Sequence, residues 1–137
     1  TITARYPAIA EALWRDCMVD AAVLSQWVVN VGRRDAKTRI AHLLCETAVR
    51  YEVHGKSEAA SFEFPLTQIH LADATGLTAV HVNRTLRALR NEGVVTVSSR
   101  TVHILDWDAL VRLGEFDPAY LQADIKPEER IRIAEAA

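Results

Sequence analysis

The strongest chemical signal in this chain is an amide and two arginines close together: Asn83, Arg84 and Arg87. Arginine carries a rigid fork of donors that matches both acceptors on a guanine edge, and asparagine offers the donor and acceptor that complement adenine. On a helix these three side chains share a face with Ala79 and Val80. Val82, Leu86 and Leu89, at spacings of 4 and 3, give the opposite face an apolar stripe. Such a helix can lie on a protein core and enter a major groove. Thr78 precedes it as a capping residue, and a helix N-terminus with a hydroxyl suits a phosphate. Taken alone, an amphipathic helix with outward arginines reads as an ordinary solvated surface helix, so the neighbouring elements decide.

Other reactive residues read as packing or capping. His42 and Cys45 lie three apart on one helix face, a spacing open to a metal, but without a second pair the expected role is packing. His54, His70, His81 and His103 show no zinc spacing. Asp106 and Asp108 flank Trp107 and are expected to end a strand and cap a helix rather than act as paired acids. Trp14 and Trp27 are expected to pack. There is no nucleophile motif, no phosphate-cradling glycine loop and no pair of catalytic carboxylates. The expectation is a non-enzyme without metal or cofactor.

The elements that position Arg84 are marked by turn and cap residues. Thr67 is placed to cap a short helix carrying Ile69, Leu71 and Ala72, which Gly76 ends. Thr78 opens the next helix, which runs to about Asn91 and stops at Gly93. Before this pair, residues 61–65 alternate as a short strand ending at Pro65. After it, residues 94–97 and 101–105 read as two strands of a hairpin, joined by Ser98, Ser99 and Arg100. A last helical segment covers 108–113. The order is strand, helix, glycine turn, helix, hairpin, which is a winged helix-turn-helix with Ser99 and Arg100 on the wing tip.

Upstream, a long helix is predicted from Pro7 to about Val31, where Gly32 breaks it. Leu13, Cys17, Leu24, Trp27 and Val31 form a heptad-like seam, with Asp20 filling its remaining position. A second apolar face carries Ile9, Ala12, Val19, Val23 and Val28, so the helix wants two partners. Asp35 then caps a support helix with Ala36, Ile40, Leu43, Leu44 and Thr47 on its apolar side, ending before a polar loop at 54–57. The domain reading is 1–32 as a dimerisation helix, 33–121 as the winged helix-turn-helix with its support helix, and 122–137 as a tail.

Bulk composition permits this reading without compelling it. The chain has 137 residues, half of them hydrophobic, and a formal net charge of −2. Within residues 62–105, however, Arg84, Arg87, Arg90 and Arg100 face only Glu63, Asp73 and Glu92, and a DNA-binding face need only be locally basic. No apolar run approaches the ~20 residues that span a bilayer, and no secretory signal is visible. Two distant cysteines, Cys17 and Cys45, fit reduced thiols in a cytoplasmic protein. The start at Thr1 leads to the expectation of a fragment of a longer protein.

Residues 66–93, LTQIHLADATGLTAVHVNRTLRALRNEG, closely resemble the DNA-binding segment of the CRP/FNR family, the cyclic-AMP receptor and fumarate-nitrate regulators. The likeness extends back through Gly32, Arg33 and Arg34 and through residues 39–44 to the long helix, covering about 8–121. It implies a mainly α fold with a small antiparallel β-wing, in which a long dimerisation helix follows a sensor domain that is absent here. It also implies a homodimer that reads a palindromic operator in double-stranded DNA, regulates transcription and meets RNA polymerase. The family's base-reading positions fall on Ala79, Val80 and Arg84, with Asn83 beside them. Its backbone-contacting positions fall on Thr67, Gln68, Thr78 and Arg87, to which His81, Ser99 and Arg100 are added. Ala79 and Val80 replace polar residues and would favour a thymine methyl; Ile69 replaces a residue that is commonly polar. Leu24-Ser25 stands where cyclic-AMP binders carry Thr-Ser, so cyclic AMP is not the expected effector. The competing expectation is a winged helix that binds protein, suggested by the apolar pair Ala79 and Val80.

Overall fold

The computed structural model describes residues 2–51 and 60–122; the expected loop at 54–57 and the tail after Gln122 lie outside them. A short helix α1 (Ile2–Arg5) precedes the long α2 (Pro7–Gly32), and α3 (Ala36–Arg50) follows a brief break. Then come β1 (Ala60–Glu63), α4 (Gln68–Thr75), α5 (Ala79–Asn91), β2 (Val95–Ser98), β3 (Thr101–Ile104), α6 (Trp107–Gly114) and a 3₁₀ turn, Pro118–Leu121. The fold is mainly α with a small antiparallel sheet, as expected. No helix among the described residues is long and apolar enough to cross a membrane.

The sheet has one more strand than the hairpin alone. Its order is β1-β3-β2, with Phe62 opposite Val102 on one side and Val97 opposite Val102 on the other. The segment before the helix-turn-helix therefore anchors the wing. The strand ends at Glu63, earlier than the expected Pro65, yet Phe64 N still donates to Arg100 O at 2.6 Å. Phe62 and Phe64 are buried and meet edge to face, and Tyr51 stacks on Phe62.

Residues Val28–Asp117 form one compact unit, and the chain before and after them forms another. Within the first unit α3 is the hub, packing on α4, α5 and α6. Ile40, Ala41, Leu44, Cys45, Ala48 and Val49 of α3 are all buried. Its buried surface is broader than the single stripe expected, because helices cover it on more than one side; Leu43 and Thr47 are only half-buried. Val82 and Leu89 of α5, Val102 of β3 and Leu110 of α6 complete the core. In α5 the expected inward Leu86 is half-buried, and Thr85 takes the buried place instead.

The backbones of α3 and α6 approach closely at Gly114. A methyl group added at Gly114 would sit 2.8 Å from the backbone nitrogen of His42 and 3.0 Å from the carbonyl carbon of Ala41. Only a residue without a side chain fits there. On α2, by contrast, large apolar groups stand in solvent, including Leu13, Trp14, Met18, Leu24 and Val28. Trp14 is thus left uncovered among the described residues, and packing for it would have to come from a partner.

Candidate nucleic-acid interface

The two helices of the motif are held at their starts by the same local device. Thr67 Oγ1 accepts from His70 N, and Thr67 N donates to His70 Nδ1, both at 3.3 Å. This is a capping box with histidine in the place usually taken by Glu or Gln. At α5, Thr78 Oγ1 accepts from His81 N at 3.3 Å and lies 3.0 Å from His81 Nδ1. His81, expected at the DNA backbone, thus has its ring folded onto its own cap. Between the helices Gly76 adopts φ +64°, and the amides of Gly76 and Leu77 both donate to Ala72 O. A β-carbon at Gly76 would be strained by that φ and would press on Val31 Cγ1 at 3.3 Å. The turn therefore sits close against the last residues of α2.

A second set of contacts locks this turn to the junction of α2 and α3. Arg39 Nε donates to Arg34 O at 2.8 Å, and its Nη1 donates to Thr75 O at 3.1 Å, at the end of α4. Asn30, fully buried, donates to Arg39 O. Arg34 is buried too, and its guanidinium reaches Asn30 Oδ1, His42 Nδ1, the Glu115 carboxylate and the Glu115 carbonyl. Burial holds the His42 imidazole below its ordinary pKa, and Arg34 pushes the same way; the Gly114 carbonyl, Glu46 and Glu115 oppose them. Burial likewise pushes the Cys45 thiol up, so it is an unreactive core residue. His42 and Cys45 both belong to the core, and no group of three potential metal ligands occurs among the described residues.

Six of the expected contact residues line one groove of about 710 Å³ along the outer face of α5: Gln68, Ala79, Val80, Asn83, Arg84 and Arg87. Ala88 and Asn91 extend it, two residues without a sequence signal. Val80 is 75% exposed, and neighbouring Ile69 on α4 is 64% exposed. Arg84 and Arg87 are exposed, with no side-chain partner among the described residues. Asn83 is half-buried because its Nδ2 donates to Gln68 Oε1 across the motif at 3.3 Å. Thr67, Thr78 and His81 are exposed at the two helix starts rather than in the groove.

The wing tip lies apart from that groove. Ser98 belongs to β2, pairing with Thr101, so the loop is two residues, shorter than expected. Ser99 (φ 50°) and Arg100 (φ 66°) both adopt left-handed backbone. Right-handed strand twist favours such a turn, but Asn-Gly normally fills it. Ser99 and Arg100 border a small depression with Glu63, Pro65 and Thr101.

On α2, Leu13, Cys17, Asp20 and Leu24 are exposed, Trp27 is half-buried, and Val31 is exposed apart from its contact near Gly76. These are the six residues expected at a dimer seam.

A family model described as the Crp-like helix-turn-helix domain matches residues 38–113. A "Nitrogen fixation regulation protein FixK" from Azorhizobium caulinodans is 31% identical over 108 residues, 78% of this chain and 44% of the relative. A "Probable transcriptional activator" from Rhizobium leguminosarum bv. viciae is 30% identical over 108 residues, 78% of this chain and 45% of the relative. The chain thus spans less than half the length of these curated relatives. A solved structure of a CooA mutant from Carboxydothermus hydrogenoformans superposes with a TM-score of 0.70 at 21% identity, covering 82% of this chain and 52% of that one. At that identity the likeness is one of fold.

Proposed function

The chain belongs to the Crp-like helix-turn-helix family, and from that premise we propose that it is the DNA-reading end of a homodimeric, cytoplasmic transcription regulator. The observation that carries the reading is the α5 face. There, an exposed arginine with no side-chain partner among the described residues stands in one groove with an amide pair and two small apolar side chains. Arg84 pairs with guanine, Ala79 and Val80 pack on a thymine methyl, and Arg87 and the capped helix starts at Thr67 and Thr78 meet phosphates. Ser99 and Arg100 reach the backbone from the wing. The exposed apolar seam of α2 supports pairing with a second copy, which would set two α5 helices ~34 Å apart on a palindromic site. Within that division of labour α2 up to Gly32 dimerises and residues 33–121 bind DNA. An effector acting on a sensor domain outside this chain would shift the population of binding-competent geometries through α2, and the bound regulator would meet RNA polymerase at the promoter.

A second reading follows from the exposed Ile69 and Val80, which would also suit a protein-docking surface. Salt separates the two. DNA binding through phosphates weakens steeply with salt, whereas an apolar contact does not. A fluorescently labelled random duplex titrated with the chain at low and high salt is expected to show that steep loss; no retention at low salt would leave the docking reading.

A further inference from the structure

The hydrogen bond between Asn83 and Gln68 joins two side chains with separate expected duties, one on a base and one on a phosphate. It crosses the motif, linking the first residue of α4 to the middle of α5 at 3.3 Å. We propose that Gln68 is a positioning residue for Asn83, so that the two amides recognise one base pair as a unit; this rests on the DNA-reading function proposed above.

The argument begins with what an isolated asparagine lacks. Its last torsion is broad and roughly two-fold, so a solvent-facing amide can present its carbonyl or its amino group to a groove. Reading adenine requires both in a set order, the carbonyl toward N6 and an N–H toward N7. Here one of the two Asn83 N–H groups is spent on Gln68 Oε1, which selects one orientation of the amide plane. The carbonyl and the second N–H remain, one acceptor and one donor, the set that adenine takes. Gln68 keeps its own amino group, which can hold a phosphate at the exposed start of α4. Contact with the backbone and order at the base are thereby linked. The neighbouring positions increase the weight on this pair, because Ala79 and Val80, which line the same groove, offer no polar side-chain group.

Enrichment of bound sites from a random double-stranded pool tests the proposal, using the intact chain and its Asn83→Ala, Gln68→Ala and Gln68→Glu variants. Asn83→Ala and Gln68→Ala are expected to lose preference at the same base pair of each half-site, by roughly fivefold or more, while the guanine preference of Arg84 stays. Combining them should add nothing further at that base pair, since one unit is already broken. Glutamate at 68 keeps an acceptor for Asn83 Nδ2 but repels phosphate, so Gln68→Glu should bind more weakly at every site with its base preference intact. If Gln68→Ala instead weakens all sequences evenly and leaves the preference unchanged, Gln68 is a plain phosphate contact and the proposal is overturned. If the unsubstituted chain enriches no motif, the DNA-reading function fails and this inference with it, a result distinct from even weakening by one variant.

Discussion

Two groups of arginines in this chain have opposite surroundings. Arg34 and Arg39 point inward, and their guanidinium groups are taken up by backbone carbonyls, Asn30, His42 and the Glu115 carboxylate. Arg84, Arg87 and Arg100 point outward on exposed positions. The guanidinium is always charged and carries five donors in a fixed fork, so it must find acceptors somewhere. Where the protein supplies them, arginine stiffens the junction beneath the motif. Where it does not, solvent or a bound ligand supplies them, and under the proposed function phosphates and guanine edges are the matching acceptors. Removing an inward arginine should therefore act on stability, and removing an outward one on binding.

The largest effect belongs to the inward group. Arg34→Ala leaves the side-chain oxygen of buried Asn30 and the Glu115 carbonyl short of a donor, and is expected to lower the unfolding free energy by about 3 kcal/mol in urea titrations. Arg34→Lys should recover only part of this, since an ammonium lacks the fork. A loss below about 1 kcal/mol would remove the distinction between the two groups. Next comes the scaffold that holds Arg34 in place. Gly114→Ala forces α6 away from the α3 backbone and should cost about 2 kcal/mol, with a lower melting temperature and no change in base preference.

A smaller effect of opposite sign sharpens the outward side. Arg100→Gly relieves a left-handed residue at the wing tip and is expected to stabilise the fold by about 1 kcal/mol. The same change should weaken DNA binding evenly across sequences and flatten its salt dependence. Strain kept at that position would then be explained by phosphate contact. Loss of stability would contradict the turn geometry.

The smallest effect is a pH slope from the inward network. Burial holds His42 neutral in the folded chain, with Arg34 adding to the shift and Gly114, Glu46 and Glu115 working against it. The unfolded chain binds that proton near the ordinary value of 6.5. The contribution is thus complete above that pH and is lost as pH falls from 6.5 toward the folded pKa, by at most about 1.4 kcal/mol per pH unit. Urea midpoints between pH 7.5 and 5.5, taken as about one unit either side of the histidine range, should fall for the parent chain and fall less for His42→Gln. Equal slopes would place the titration elsewhere.

What could be read from the sequence was local. The caps Asp35, Thr67 and Thr78, the turn at Gly76 and the inward Val82 and Leu89 of α5 depend on residues a few positions apart, and each stands as expected. The features that escaped depend on which faces meet. The first strand pairs with a segment some forty positions later, as Ala60 opposite Ile104 shows. Nothing about Gly114 signals that α3 crosses it, and nothing about Asn30 marks a buried amide that holds the next helix. Asn83 was recognisable as a candidate base reader by residue type, but its bond to Gln68 spans two helices and follows only from their packing. Trp14 shows the same limit in reverse: an aromatic on an amphipathic helix signals packing without saying whether the partner lies in the same chain.

The measurement that bears most directly on the outward arginines is site enrichment from a random duplex pool at about 50 and 200 mM salt, comparing the chain with Arg84→Ala. A two-fold symmetric motif is expected, bound far more weakly at the higher salt. Arg84→Ala should lose ~1–3 kcal/mol of discrimination at one base pair per half-site while its unfolding free energy stays within about 0.5 kcal/mol of the parent. An absent motif, or an Arg84→Ala variant that selects the same bases as the parent, would contradict the reading of α5 as a base-reading helix.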